Sequence, residues 1–465
     1  MSGWIGADEA ARRLGVKAAT LYSYVSRGVL TRRKAPDGHS VFDPAEIDRL
    51  ARRGRPRRQP GGTELVIESA VTMLGEDRHY YRGRDAIGLA DAWRLEQVAV
   101  WLWTGLEPPS EPSNESASEP SAEPAVESVT DLSAGPSAGA SGAVARPAVR
   151  GARKRASGVP AAEVEAWAAG AEAVAAAREA QRGLASAVLP LERLQVIVTA
   201  LAVADPVRLN LEPAAVARVG QGLVAGMVDA LPARDGFGEP DTPYVVVGPG
   251  VLARDRTVHG RLWRKFAGDG ADERLADALR FAMVLLADHE LASSTLAARV
   301  AASVRADPYA VVLAGLGVTS GALHGGAALG VESLFGEIGA ASRASYAMGE
   351  RLRRGERIPG FGHAVYRAGD ARGEALLERV RRAVPDHPRL AVAEAMLDEA
   401  RRIRLPAMNV DFALGLLTHL AGMPRGAAEA IFGIARTVGW LAHAMEEYAR
   451  PTRLRLRAAY TGPLD

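Results

Sequence analysis

Three of the nine histidines lie in settings that suit chemistry better than structure. His289 ends the apolar run Met283-Val284-Leu285-Leu286-Ala287-Asp288-His289-Glu290. His324 sits in Ser320-Gly321-Ala322-Leu323-His324-Gly325-Gly326, and His363 in Pro359-Gly360-Phe361-Gly362-His363. Glycine on either side lets the backbone approach a ligand closely. A helix N-terminus after the 324 loop would favour a neutral imidazole that donates a hydrogen bond. A carboxylate joins them: Asp411, in Met408-Asn409-Val410-Asp411-Phe412, has apolar neighbours and an apolar segment after it. Partial desolvation there raises a carboxyl pKa and makes it a usable base. Two arginines complete the set. Arg436 lies within Phe432-Gly433-Ile434-Ala435-Arg436-Thr437-Val438-Gly439-Trp440, and Arg372 follows His363 by nine residues. A guanidinium on an apolar helix needs an anionic partner, because burying it unpaired is costly.

Each residue also has a plainer reading. A glycine-flanked histidine serves equally as a turn residue, an aspartate before a helix as an N-cap, and a buried arginine as the partner of a structural carboxylate. No histidine pair has the helical spacing of a metalloenzyme, so no metal site is expected. Spacing alone supports an acid/base site for an anionic substrate.

The elements that must hold these groups are helices. From about residue 161 the pattern is almost wholly helical, with Leu275, Leu279, Ala282, Met283 and Leu286 on one face. The same period recurs in 186–204, 308–317, 389–403 and 426–449, broken by Gly/Pro turns. One strand pair is expected, Leu65–Leu74 with His79–Tyr81. Residues 107–160, rich in Pro, Ser, Ala, Gly and Glu, cannot bury enough apolar surface to offset their ordering entropy, which predicts a disordered insert.

Residues 1–60 form a separate unit. They hold thirteen Lys/Arg against six Asp/Glu, whereas the whole 465-residue chain has a net charge of only +2. Ala7–Leu14 reads as a short helix with acids first and bases last, Gly15-Val16 as a tight turn, and Leu21–Ser26 as a second helix. The basic stretch Leu30–Phe42, with Asp37-Gly38 at its middle, reads as a hairpin or wing. Asp43-Pro44-Ala45-Glu46 caps a third helix that runs into the arginines of 52–58. This unit resembles the small winged-helix domains of the MerR/excisionase type.

There are no cysteines, which excludes a disulfide scaffold, a thiolate metal site and a cysteine nucleophile. No apolar run approaches a membrane span and no signal-peptide pattern is present, so a cytoplasmic location is expected. A 48% apolar chain of this length should fold as two or three domains.

In order along the chain, five motifs resemble the citrate synthase family. They are Asp288-His289-Glu290 with Ser294-Thr295, Leu323-His324-Gly325-Gly326, Gly360-Phe361-Gly362-His363-Ala364-Val365-Tyr366-Arg367, Asn409-Val410-Asp411-Phe412 and Ile434-Ala435-Arg436. Tyr81-Arg82-Gly83 and the tail from Arg455 to Pro463 add to the likeness. The resemblance implies a mainly α fold with a large and a small helical domain, here preceded by the winged helix-turn-helix. The implied divisions are 1–60, 64–106, the 107–160 insert, 161–326 for the large domain, 327–422 for the small one and 423–465 for the return to the large domain.

It further implies condensation of acetyl-CoA with oxaloacetate, or of propionyl-CoA in a 2-methylcitrate synthase. Asp411 would be the base, His324 the hydrogen-bond donor to the thioester oxygen and His363 the acid on the oxaloacetate carbonyl. His289, Arg372 and Arg436 would bind the dicarboxylate, joined by Arg455 from a partner subunit of a homodimer, and Arg367 would face the CoA phosphates. No bound cofactor is implied. Three departures from the family pattern, Ala328 with Leu329, Ala292, and Leu456, remove none of the named groups.

A second class of function remains open: a DNA-binding regulator whose synthase-like body senses a ligand. Thr20, Tyr22 and Ser23 would then face the groove, with Lys17, Arg32, Arg33, Lys34 and the 52–58 arginines on phosphates.

Overall fold

In the computed structural model, residues 4–14, 16, 18–26, 30–35, 38–44, 46–47, 67–108, 167–237, 255–267, 271–367 and 369–455 are described. They hold seventeen α-helices and two small antiparallel sheets. The four long periodic segments become the helices Pro190–Ala204, Pro308–Thr319, Leu390–Arg402 and Ala427–Tyr448. The 107–160 insert falls outside the described residues beyond its first two positions, as do Leu65 and the arginine-rich run at 52–58.

Ala427–Tyr448 is apolar almost all round and buried over nearly its whole length, as a helix at the centre of a core must be. It packs against Pro213–Ala230, Ser293–Ser303 and Pro308–Thr319. Near its middle it carries the buried Arg436, and one turn later Gly439. Gly439 is needed for contact: a Cβ there would lie 2.3 Å from Asp288 Oδ1 and 2.4 Å from the Ala287 carbonyl. The turn that presents His289 is thereby seated directly on the central helix.

The sheet of the body is a hairpin with an added strand: Thr72–Leu74 pairs with His79–Tyr81, which pairs with Arg84–Asp85. Its first strand is shorter than the sequence suggests. Alternation turns His79 and Tyr81 inward, both fully buried, while Tyr80 is half-exposed. Two of the hairpin's ties to the body bear on the site. The Tyr81 hydroxyl donates to the Val284 carbonyl (2.9 Å) and accepts from the Asp288 amide (3.2 Å), and the Ala371 amide donates to the Asp77 carbonyl (3.1 Å).

The N-terminal unit has its own core of Ala10, Ala11, Leu14, Leu21, Leu30, Phe42 and Ile47. Each buried Leu, Ile or Phe in it contributes about 1.5–3 kcal/mol. Helices Ala7–Leu14 and Ala18–Ser26 follow the sequence reading, and the wing is the pairing of Arg32–Lys34 with Ser40–Phe42. The sequence analysis missed a third strand, Ile5–Gly6, on the far side of Ser40–Phe42. Two residues are too short to show a period.

Candidate active site

Two extended segments form a clasp. The Gly360 carbonyl accepts from the Asn409 amide (2.9 Å), the Gly362 amide donates to the Ala407 carbonyl (2.8 Å), and Phe361 bridges Met408. Gly360 has φ +86°, and a side chain there would also strike Phe412, its Cβ falling 2.9 Å from the phenylalanine's. The Asn409 amide nitrogen closes the clasp on the Gly362 carbonyl (2.8 Å). Its side-chain oxygen accepts from the amides of Asp411 and Phe412, so Asn409 caps the helix Val410–Leu420. Asp411 is released from that duty and stands in the first turn beside the His363 loop. Burial pushes its carboxyl up to about 6, against the pull of Arg372.

His363 Nδ1 accepts from the amides of Val365 (3.0 Å) and Tyr366 (3.1 Å). In a neutral ring the proton is then on Nε2, which faces Arg372 Nη2 at 3.2 Å. The two nitrogens lie close enough to serve one acceptor placed beside them. Arg372 is held by Asp370 through paired contacts of 2.9 and 2.8 Å, and Asp370 also accepts from the Val410 amide (3.0 Å). One carboxylate thus fixes the arginine and joins the starts of the helices Ala371–Ala383 and Val410–Leu420.

His289 meets this group across the cleft. Its Nε2 bonds the Tyr366 hydroxyl at 2.9 Å, and its ring centre lies 5.5 Å from that of His363. Burial and then Arg372 push its pKa well below the ordinary value, so the ring is neutral. His324 Nε2 bonds Ser294 Oγ at 2.8 Å, and its ring stands edge-on to Phe432 (5.4 Å). Burial and then Arg436 bring its pKa down to about 4. The helix Gly326–Ile338 does start two residues later, but burial is the larger cause of its neutrality.

Arg436 has 1% of its surface exposed. Its Nε donates to the Leu286 carbonyl (2.7 Å) and its guanidinium lies over the Phe432 ring (4.4 Å). Among the described residues no carboxylate forms an ion pair with it; Asp288 and Asp411 act on it only at longer range. Burial pushes its pKa down to about 10, which leaves it charged near neutral pH.

The structure therefore brings His289, His363 and Arg372 into direct contact, with Arg436, Asp411 and His324 within electrostatic reach. Arg367 and Arg455 are exposed, and no ion pair or hydrogen bond among the described residues ties either to the cluster. Tyr366, Asp370, Phe432 and His79 were not expected as site residues. Tyr366 and Phe432 stood inside quoted motifs, and the alternation of His79 with Tyr81 was a further signal. A cavity of about 530 Å³, lined by Phe361, Leu397, Leu405, Pro406 and Met408 among others, lies against the same clasp and contains none of these catalytic candidates. Among the described residues no group of three His, Asp or Glu is placed to hold a metal ion.

On the N-terminal unit, Arg32, Arg33 and Lys34 are exposed, Arg33 lies over Trp4 (4.6 Å), and Tyr22 is 39% exposed. Thr20 is half-buried. Lys17, the Ser23 side chain and Arg52, Arg53, Arg55, Arg57 and Arg58 lie outside the described residues.

Residues 62–457 match the family model described as citrate synthase, C-terminal domain, and residues 7–53 match that of the MerR HTH family regulatory proteins. Citrate synthase 2 of Bacillus subtilis is 37% identical over 195 residues, covering 40% of this chain and 51% of that protein. 2-Methylcitrate synthase 1 of Corynebacterium glutamicum is 34% identical over 202 residues, covering 42% and 52%. The chain spans about half the length of the curated relatives it matches. Among solved structures, the citrate synthase of Thermotoga maritima superposes with a TM-score of 0.60 at 23% identity, over 88% of this chain and 97% of that one. That of the archaeon Thermoplasma acidophilum, in ternary complex with carboxymethyl coenzyme A and oxaloacetate, gives 0.61 at 19%, over 87% and 95%. These likenesses show the fold.

Proposed function

The chain belongs to the citrate synthase family, and from that premise we propose that it condenses acetyl-CoA with oxaloacetate to give citrate and CoA. The observation that carries the reading is Arg436, a buried cation to which no carboxylate among the described residues is ion-paired, within electrostatic reach of a carboxyl raised to about 6. A cation fit to receive a carboxylate and a base fit to take a proton thus share one site.

Ionised Asp411 takes a proton from the acyl methyl group. His324, its Nε2 engaged by Ser294, directs its other nitrogen to the thioester oxygen and stabilises the enol as it forms. The enol carbon attacks the oxaloacetate carbonyl, and His363 gives the new alkoxide its Nε2 proton. Water then cleaves the thioester to release CoA. His289, Arg372 and Arg436 hold the two carboxylates, for which guanidinium forks are well shaped. Arg455 reaches a neighbouring subunit's site in a homodimer, a role its exposure allows, and Arg367 meets the CoA phosphates. The large domain of 161–326 and the small one of 327–422 close on the substrates and exclude water during the condensation. No resident cofactor takes part.

Among the described residues no helix is long and apolar enough to cross a membrane, in keeping with a cytoplasmic site of action. Propionyl-CoA, giving 2-methylcitrate, is the alternative acyl donor. CoA release with the two donors side by side, each with oxaloacetate, tests the reading. Release with neither donor would defeat it, and the ratio of the two kcat/KM values identifies the substrate.

A second reading rests on the MerR match and the exposed basic wing: residues 3–58 bind DNA and the synthase body reports ligand occupancy to them.

A further inference from the structure

His79 is wholly enclosed, with none of its surface exposed, and among the described residues neither ring nitrogen has a hydrogen-bond partner. Its ring stands edge-on to Tyr81 at 4.8 Å and 5.7 Å from His289, so that His79, His289 and His363 follow one another across the cleft. Leaving a buried imidazole without partners costs free energy that an apolar side chain of similar size would not incur. Such a group is retained without penalty only where another state of the protein satisfies it.

Two of the hairpin's tethers identify that state. One joins the strand of His79 to the turn bearing His289; the other joins the hairpin to the first residue of the helix bearing Arg372. His79 occupies the seam between the two elements that an anion drawn between His289 and Arg372 would move. The charged groups acting on it from these surroundings are Arg372, Asp288, Asp370 and Arg436. The two arginines and burial keep the ring neutral, with one N–H to give.

We propose that His79 is a further substrate-binding residue, whose ring N–H donates to a carboxylate oxygen of the dicarboxylate once that ligand is bound among His289, Arg372 and Arg436. The inference rests on the dicarboxylate reading of the pocket. It makes His79 a group that contributes to affinity and nothing to the stability of the free protein.

The test measures oxaloacetate binding by calorimetry and thermal unfolding without ligand, for wild type, His79→Leu and His79→Asn. The leucine variant should melt at or above the wild-type temperature and bind oxaloacetate about tenfold more weakly, the usual loss for a hydrogen bond to a charged group. Its deficit in turnover should appear in KM for oxaloacetate and not in kcat. Asparagine, which keeps an N–H donor, should restore binding to within about threefold. A leucine variant that binds within twofold of wild type overturns the proposal. So does one that fails to fold, since the ring would then be a structural member of the core. If wild type itself binds no oxaloacetate, the reading of the pocket falls first and this inference with it.

Discussion

Replacing Asp411 by asparagine should damage turnover and strengthen the fold in one step. The ordinary value for this carboxyl is 3.8, and in the folded protein burial moves it to about 6. Well below 3.8 the carboxyl is protonated in both folded and unfolded chains and costs nothing. Between these values the unfolded chain ionises first, and above about 6 the folded state carries the whole cost of a desolvated charge. At about 1.4 kcal/mol per pH unit, that cost amounts to about 3 kcal/mol. Stability from this group is therefore present at low pH and lost as pH rises through 6, the reverse of an ion-paired aspartate. Asp411→Asn keeps the shape and cannot ionise. At pH 7.5 the variant should be more stable than wild type by up to about 3 kcal/mol, and at about pH 3 nearly indistinguishable from it. Turnover should fall by roughly two to four orders of magnitude, because the proton acceptor is gone. In the wild type, kcat/KM should decline as pH falls below about 6. Denaturant unfolding at the two pH values and CoA release with a thiol reagent measure both arms. Turnover within threefold of wild type would remove Asp411 from the chemistry. A stability gain equal at both pH values would show that the gain is packing and that the carboxyl is not the strained group.

Further outcomes follow from the same geometry. Arg436→Met should weaken oxaloacetate binding by at least about 2 kcal/mol in calorimetry while leaving the free protein no less stable, since an unpaired buried guanidinium is removed; equal binding would show that no anion sits there. Gly439→Ala forces a methyl group into Asp288 and Ala287, so the free energy of unfolding should fall by about 1–3 kcal/mol and turnover should drop as His289 is displaced. Arg455→Ala chains, inactive alone, should regain one working site when mixed with His363→Ala chains, because the defects lie on different subunits; no recovery in mixed dimers would speak against a shared site. The full chain should bind selected genomic fragments with an affinity that falls steeply between two salt concentrations, and oxaloacetate or acyl-CoA should shift it. Absence of any selective binding would make residues 3–58 a docking module.

The helices were legible because their period is local. Ala427–Tyr448 and Pro308–Thr319 could be drawn within two residues from apolar spacing and Gly/Pro breaks. His289, His324, His363 and Asp411 were legible because glycine and apolar neighbours are unusual company for polar groups. Contacts made at long range were not. Nothing near position 409 announces that Asn409, and not Asp411, caps the helix, although the swap decides whether Asp411 is free to act. Nor does the sequence show that Arg372 is held by Asp370 while no carboxylate among the described residues is ion-paired to Arg436, a difference that separates a fixed cation from one that can take a ligand. His79 escaped notice for the same reason: a histidine in a short alternating strand is ordinary until the elements packed over it are known.

That imbalance of charges also bears on whether the body acts or only senses. A site that merely detects a dicarboxylate needs cations and donors, and His289, Arg372 and Arg436 would suffice. A carboxylate in the same enclosure opposes such a ligand. It repels the dianion and, when ionised, burdens the free protein. Asp411 nevertheless stands there, partly buried, beside an elaborate clasp: Asn409 takes over the capping role, Gly360 permits the close approach, and the charge of Asp370 offsets part of the pull of Arg372 on the Asp411 carboxyl. Each feature preserves proton affinity in a group that binding alone would do better without. Chemistry that begins with removal of a proton from a weak carbon acid is what such an arrangement serves. On this ground the arrangement favours the proposed enzyme over a sensor alone, and the MerR-like unit at the N-terminus does not count against it.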